Sequence, residues 1–430
     1  MSDVTRPSRR LRAGGLLLLV GLVLSGCASD AELDTFKPES DVANKIYDLV
    51  FPVFLIAGVV LVLVVGAVVW LGVKNRVKSY DGDDEFPKQI SHNNTLEIGW
   101  TIVPALIMTG IAVFTIITHV AINKYEAGAV EIEVQGEATE WTPKIVVVGQ
   151  QWWWEYRYYL TDDVTAADLG DPRDLPPADI VTSGQFAFPV GTEVDLLITS
   201  RDVIHSHWIP RLNGKRDAVP GRFSPWKIEA DEPGVYFGQC TEFCGLSHSR
   251  MRMQALAMTA DDFQTWIDEQ MAPATFDEEL QSYVDAYRSD EPTTVPDDAS
   301  AALRGLDIFN TQCSSCHLVN GFNDLTYDGA EVVSGSAPDL THLASRTTFA
   351  GGIFNLYNPD GTLNRDDLAA WIRDPGEVKA NHADDLPDGE LPRGMPNRNL
   401  TDQQINDVIA FLETLGPRPS DATIQATEVE

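Results

Sequence analysis

The sequence predicts a multidomain membrane protein: a two-helix transmembrane hairpin, then a β-sandwich or barrel, then an all-α domain. Three changes of hydropathy pattern predict it. Residues 49–73 and 98–123 contain no Asp, Glu, Lys or Arg. At about 1.5 Å per residue, each stretch can cross a hydrocarbon layer of about 30 Å. From Val130 apolar and polar residues alternate, the period of a strand with one buried face. From Ser300 the period becomes helical.

The N-terminus reads as an export signal. Residues 6–12 (RPSRRLR) are positively charged and residues 14–23 form an apolar core too short for a stable anchor. The signal closes on LSGC, residues 24–27, which resembles the lipobox of bacterial lipoproteins. Residues 1–26 would then be removed, leaving Cys27 as a lipid-bearing N-terminus ahead of an external segment, 27–48. The loop 74–97 holds Lys74, Arg76, Lys78 and Lys88, which assigns it to the cytoplasm. Everything after Asn123 then lies on the extracellular or periplasmic side of a bacterial plasma membrane. A formal net charge of −33 excludes a nucleic-acid binder and suits an acidic, solvated surface with basic partners.

The external part divides in two. VEIEVQGEATEWTPKIVVVGQQWWWEYRYY (130–159) and GTEVDLLITSRDVIHSHWIP (191–210) read as strands between Gly- and Pro-rich turns, within a β-domain at 124–271. In an alternating strand Trp152 and Trp154 share a face and Trp153 points the other way. Residues 272–299 are acidic, contain three prolines and read as a linker with room for one short helix. Residues 300–418 form the helical domain. Its closing segment, TDQQINDVIAFLETLGP (401–417), places Ile405, Val408, Ile409, Leu412 and Leu415 on one face. Thr401 and Gln404 make a capping box there, and Gly416-Pro417 supply the stop. Residues 419–430 read as a disordered tail.

Five cysteines sort themselves by spacing. CSSCH, residues 313–317, is the attachment signature of c-type haem, with Cys313 and Cys316 forming thioethers and His317 placed to ligate iron. LPRGMP (391–396) offers Met395 as the second axial ligand, which raises the potential relative to a second His. His342 and His382 are alternatives that read as surface histidines. Cys240 and Cys244 fall in GQCTEFCGLSHSRMRM (238–253), with His248, Met251 and Met253 following. A disulfide is chemically possible outside the cell but leaves His248 and Met251 unexplained. Zinc could take two Cys and two His, one from DVIHSHW, but Met is a poor zinc ligand. Thiolates, imidazoles and a thioether together suit copper, and two thiolates can bridge two copper ions, the reading favoured here. His205 and His207 share a strand face, so spacing does not choose between them.

DVIHSHWIPRLNGKRDAVPGR (202–222) followed by GQCTEFCGLSHSRM resembles subunit II of haem–copper cytochrome c oxidases. The likeness runs from the membrane hairpin to near residue 265 and includes EIGWTIVPALI (97–107) and GQQWWWEY (149–156). With the CxxCH domain fused behind it, the pattern is similar to a caa3-type oxidase. The resemblance implies a cupredoxin-like β-domain and a class I cytochrome c domain. It implies Cys240 and Cys244 as bridging thiolates of a binuclear copper A centre, with His205, His248, Met251 and the Glu242 carbonyl completing the ligands. Met253 is a weaker rival to Met251. The Glu242 side chain would help bind magnesium at the subunit I boundary. Trp152 would sit where electrons come in, and Glu97 at the cytoplasmic mouth of a proton channel.

The implied role is electron input: from haem c via copper to subunit I, where oxygen is reduced to water with proton translocation. The oxygen site is on that other subunit. Implied partners are oxidase subunits I and III, and an upstream quinol:cytochrome c reductase or c-type cytochrome donor. Two departures stand out: His207 where the family commonly has HSF or HSW, and an acidic stretch, ANHADDLPDGELPR (380–393), that lengthens the Met395 loop. Alternatives are subunit II of a copper-containing nitric oxide reductase, or a membrane-tethered electron carrier or copper-handling module. A simple carrier needs neither two spans nor an acid at a membrane boundary.

Overall fold

The computed structural model describes residues 31–76, 92–124, 128–161, 164–171, 175–324, 337–383 and 393–427. The export signal and Cys27 lie outside them, as does most of the loop between the spans. Helix α1 (Asp41–Lys74) and helix α2 (Asn94–Ile122) pack against each other as the hairpin. Both expose apolar side chains all round, Leu61, Val62, Leu106 and Phe114 among them, which suits lipid rather than water. Helix α1 starts well before residue 49 because its first turn is capped. The Ser40 hydroxyl accepts from the Ala43 amide at 2.9 Å and donates to the Leu212 carbonyl at 2.5 Å. That second bond ties the membrane hairpin to the external β-domain.

The β-domain contains β1 (Val130–Val134), β2 (Glu137–Trp141), β3 (Lys144–Gln150), β4 (Trp153–Tyr158), β5 (Ile180–Ser183) and β6 (Gln185–Pro189). It continues with β7 (Val194–Ser200), β8 (His205–His207), β9 (Arg216–Ala218), β10 (Ser224–Ile228), β11 (Gly234–Gln239) and β12 (Arg252–Met258). A five-stranded sheet in the order β10-β7-β3-β4-β5 faces a three-stranded one, β11-β12-β6. Pairing is antiparallel except β3 with β7 and β12 with β6. Inward residues of both sheets, including Ile145, Val147, Trp154, Tyr156, Phe186, Phe188 and Leu196, make the core. This is the expected cupredoxin-like sandwich. One local expectation changes: β4 begins at Trp153, so Trp152 sits in the preceding turn and the strand alternation does not reach it.

Helix α3 (Ala260–Met271) packs on the sandwich through Phe263 and Ile267. Helices α4 (Glu278–Arg288), α5 (Ala301–Gln312), α6 (Arg365–Arg373), α7 (Asp402–Leu412) and α8 (Asp421–Ala426) build the C-terminal domain. The α7 capping box and its buried face form as the sequence expects, with Ile405, Val408, Ile409, Leu412 and Leu415 inside.

Two expectations are corrected. Within 272–299, the α4 helix buries Leu280, Tyr283 and Val284 in the C-terminal domain's core, so much of the acidic segment is part of that domain rather than a tether. The acids line its outer face and mask a short i, i+3, i+4 stripe. Residues 419–430 are not wholly a disordered tail: Ser420 caps α8, Ile424 is buried and the Thr427 carbonyl accepts from the Gln254 side chain of β12 at 2.8 Å. So short a helix has little stability alone, and its contacts hold it.

Helices α5 and α7 cross at Gly305, where an added Cβ would lie 1.9 Å from the Asp407 carbonyl oxygen. Gly305→Ala should therefore force the helices apart and destabilise the C-terminal domain by about 3 kcal/mol. Denaturant unfolding of the full chain, followed by the visible spectrum of the attached haem, measures it.

Candidate metal centre and haem-attachment site

The thiol pair sits on the loop between β11 and β12, which the pairing of Gln239 with Arg252 closes at its neck. The Cys240 amide donates to the Met251 carbonyl at 2.8 Å, and the Thr241 amide to the Ser206 carbonyl of β8 at 3.0 Å. One loop and one neighbouring strand thus converge. Cys240 Sγ and Cys244 Sγ lie 3.8 Å apart, both buried and both free thiols. His205 Nδ1 is 3.8 Å from Cys240 Sγ, His248 Nδ1 is 3.5 Å from Cys244 Sγ, and Met251 Sδ is 3.9 Å from Cys244 Sγ. The Glu242 carbonyl oxygen lies 3.3 Å from Cys240 Sγ, while the Glu242 side chain points into solvent. His205, Cys240 and Cys244 alone form a compact metal-competent triad. Two sulfurs, two imidazoles, a thioether and a carbonyl are a soft donor set, so these residues fit a thiolate-bridged copper centre.

The His205 tautomer is set by a residue that sequence reasoning missed. Asp202 Oδ1 lies 2.8 Å from His205 Nε2, which holds the proton there and turns a bare Nδ1 toward Cys240. Asp202 also accepts from the Gln151 and Val203 amides, each at 2.7 Å. Burial raises the Asp202 carboxyl, but these hydrogen bonds outweigh it and hold it below the ordinary carboxylate range. The signal was legible as Asp-x-x-His in RDVIHSH. Gly149 was missed too: a Cβ there would lie 2.8 Å from the His205 ring, so only glycine leaves it room.

His207 takes a different place. Its Nε2 lies 3.3 Å from the Tyr156 hydroxyl and its ring packs edge-on to Trp154, 5.1 Å between centroids. Burial lowers its pKa to about 3, so it stays neutral in the core. Met253 is likewise a core residue, packed under Gly238 and Ile209. The cysteines influence each other: the hydrogen bond from Cys244 holds Cys240 well below the ordinary thiol range, and that same bond keeps Cys244 protonated. Trp152 is buried against the loop, its indole N–H donating to the Cys244 carbonyl at 3.0 Å beside the Gln151 side-chain Nε2 at 2.7 Å.

In the C-terminal domain the CSSCH segment continues α5 as helical turns. The Cys313 amide donates to Phe309, and the Cys316 and His317 amides donate to Cys313. That winding brings the two thiols and the imidazole to one side. His317 Nδ1 donates to the Pro338 carbonyl at 2.8 Å, which leaves Nε2 as the free lone pair an iron needs. Desolvation lowers its pKa, keeping the ring neutral. The donor set fits covalent haem c. Met395 is half-buried, its carbonyl accepting from the Asn381 side chain at 3.3 Å. His382 is exposed as expected, but His342 is buried with its pKa lowered to about 4, correcting its reading as a surface residue. Glu97 lies in the first turn of α2 and accepts from the Asn93 amide at 3.0 Å.

Comparison with known proteins agrees with this geometry. The family profile described as cytochrome c oxidase subunit II, periplasmic domain, matches residues 144–257, and its transmembrane-domain counterpart matches 32–117. The cytochrome c profile matches 302–416. The chain is similar to the cytochrome c oxidase subunit 2 of Alkalihalophilus pseudofirmus, 29% identical over 402 residues that cover 93% of this chain and 95% of the relative. It is also similar to that of Bacillus subtilis, 29% identical over 407 residues covering 93% and 96%. The corresponding protein of Oenothera berteroana is 31% identical over 224 residues, 50% of this chain and 82% of its own.

Asp202→Asn should weaken copper binding about tenfold by loosening the His205 tautomer. His207→Phe should leave copper affinity unchanged. Competition titrations with a copper chelator compare the two.

Proposed function

This chain belongs to the cytochrome c oxidase subunit II family, and from that premise we propose the residue assignments by which it works as the electron-input subunit of a haem–copper oxidase. The observation that carries them is the convergence of two free sulfurs with His205, His248 and Met251 within 4 Å steps of one another. Cys240 and Cys244 would hold copper as thiolates, with His205, His248, Met251 and the Glu242 carbonyl supplying its further ligands. Cys313 and Cys316 would anchor haem c, and His317 and Met395 would hold its iron. Copper A and haem c, when bound, supply one-electron exchange.

The chain's own residues hold the two centres still. Asp202 fixes the His205 ring, Pro338 fixes His317, and the Trp152 indole bonds the backbone of a copper ligand, which suits an electron path into the loop. A cage that does not move when its charge changes keeps the reorganisation cost of transfer low. The exposed Glu242 side chain leaves its carboxylate free for magnesium shared with subunit I. Glu97, at the cytoplasmic start of α2, serves proton uptake as well as closing the helix end. Cys27 carries lipid, though two spans anchor the protein far more firmly than acyl chains do. The setting is a bacterial plasma membrane, the partners subunits I and III, and the donor a quinol:cytochrome c reductase or a c-type cytochrome. Oxygen reduction, rather than nitric oxide reduction, is favoured by the names of the relatives over nearly the full chain.

Metal analysis with electron paramagnetic resonance tests the copper assignment: hyperfine structure from one unpaired electron shared by two copper nuclei should appear. One zinc per chain would sink it. Cys244→Ser should abolish the shared signal and leave haem bound. Met395→Leu should lower the haem potential in a redox titration while the haem stays covalently attached. Mass spectrometry of the mature N-terminus should find lipid on Cys27.

A further inference from the structure

Residues 378–382 of the haem domain lie along the copper loop, and Val378, Lys379, Ala380 and His382 each reach it or the turn beside it. The Val378 carbonyl accepts from Arg250, the Ala380 carbonyl from the Ser247 hydroxyl at 2.6 Å, and the His382 ring lies 6.5 Å from Trp152. Between them Lys379 is 5% exposed, and its ammonium donates to the Trp152 carbonyl at 2.6 Å and the Ala350 carbonyl at 2.7 Å. Both of these partners are backbone carbonyls rather than carboxylates. A buried cation solvated only by two carbonyls is costly, and burial pulls its pKa down to about 7. The same segment is tied to the Met395 loop: the Asn381 side chain donates to the Met395 carbonyl, and the His382 amide to the Arg393 carbonyl. Arg393 in turn lies 3.8 Å from Asp202, the partner of His205.

The facing turn is shaped to fit. Gly351 and Gly352 have φ of +77° and +79°, and the Arg252 amide of β12 donates to the Gly351 carbonyl at 2.9 Å. A Cβ on Gly351 would lie 2.4 Å from Lys379 Nζ and 2.7 Å from the Trp152 carbonyl. Two backbones and an ammonium therefore meet where no side chain fits. A second patch of the seam, which does not include Lys379 or Gly351, joins Gln185 and Gln254 to the Thr347 hydroxyl at 2.7 and 3.3 Å.

We propose that Lys379 is a positioning residue that locks residues 378–382 onto Trp152 and the copper loop, so that the haem domain works as a docked relay rather than a shuttle on a tether. This rests on the reading that haem c is the internal donor to copper. The lock keeps one through-bond path in place: Met395 loop, Asn381, Lys379, Trp152, Cys244 carbonyl. A fixed path matters because a displacement of about 1 Å between reacting partners can cost up to about a hundredfold in rate.

The test uses the purified oxidase complex. Rapid photoreduction of haem c is followed by optical recording of haem and copper bands, a transfer that oxidises one ferrous haem, adds one electron to the copper pair and breaks no bond. Backbone hydrogen exchange at Arg252 is read in the resting complex, without turnover. Lys379→Met should slow the transfer about tenfold and speed Arg252 exchange, while unfolding stability stays level or rises because a buried charge is gone. A merely structural lysine would show the reverse, lost stability with transfer intact, and that result overturns the proposal. Gly351→Ala presses on the same lock from the other side and should slow transfer similarly, which keeps the question open to test should Lys379→Met fail to assemble. Thr347→Val, in the second patch, should leave the rate unchanged. If wild-type transfer itself is absent or depends on protein concentration, the internal-donor reading fails. If wild type transfers and both lock variants match it, Lys379 alone loses its role.

Discussion

The pairing of Gln239 with Arg252 is the constraint on which the rest of the molecule depends. It closes the neck of a loop that supplies two sulfurs, an imidazole, a thioether and a carbonyl. The Cys240 amide bond to Met251 repeats that closure one residue further in. Only His205 comes from elsewhere, and β8 is held to the same loop by the Ser206 carbonyl. A rigid sandwich beneath the loop turns a flexible peptide with good ligands into a cage of defined shape.

Two charged groups near that cage, Glu155 and Asp202, are each held by several partners. Glu155 is buried and sits between Arg157 at 2.5 Å and Arg201 at 3.3 Å at the end of the strand pair that leads to Trp152. Removing one partner there would strand a buried charge, the costly way to break such a group. Asp202 joins five groups at once: His205, the Ser200 hydroxyl, the Gln151 and Val203 amides, and Arg393 of the haem domain. The orientation of the His205 ring, which faces Cys240, is thereby linked to the docking of the other domain.

Local pattern misled where composition and packing disagree. Residues 272–299 look like a linker because acids and prolines dominate the count, yet three side chains, Leu280, Tyr283 and Val284, suffice to seat a helix against a core supplied by other segments. The six-residue α8 is a similar case, held by Ile424 and by Gln254 across the domain boundary. Trp152 leaves its expected strand face because a turn at Gln151 intervenes, which puts its indole against the copper loop.

By itself the sequence determined the donor types, the haem attachment motif, two spans and the order of domains, because spacing along a chain carries covalent and periodic constraints directly. Strand period could not separate His205 from His207, since both lie on one face; only the positions of Asp202 and Tyr156 in three dimensions sent one ring to the thiols and the other into the core. Nor could it show Lys379 as anything but another lysine in an acidic chain. Its neighbours Trp152 and Ala350 are distant in sequence, and a group's partners across a domain boundary are set by how surfaces meet, which no local pattern encodes.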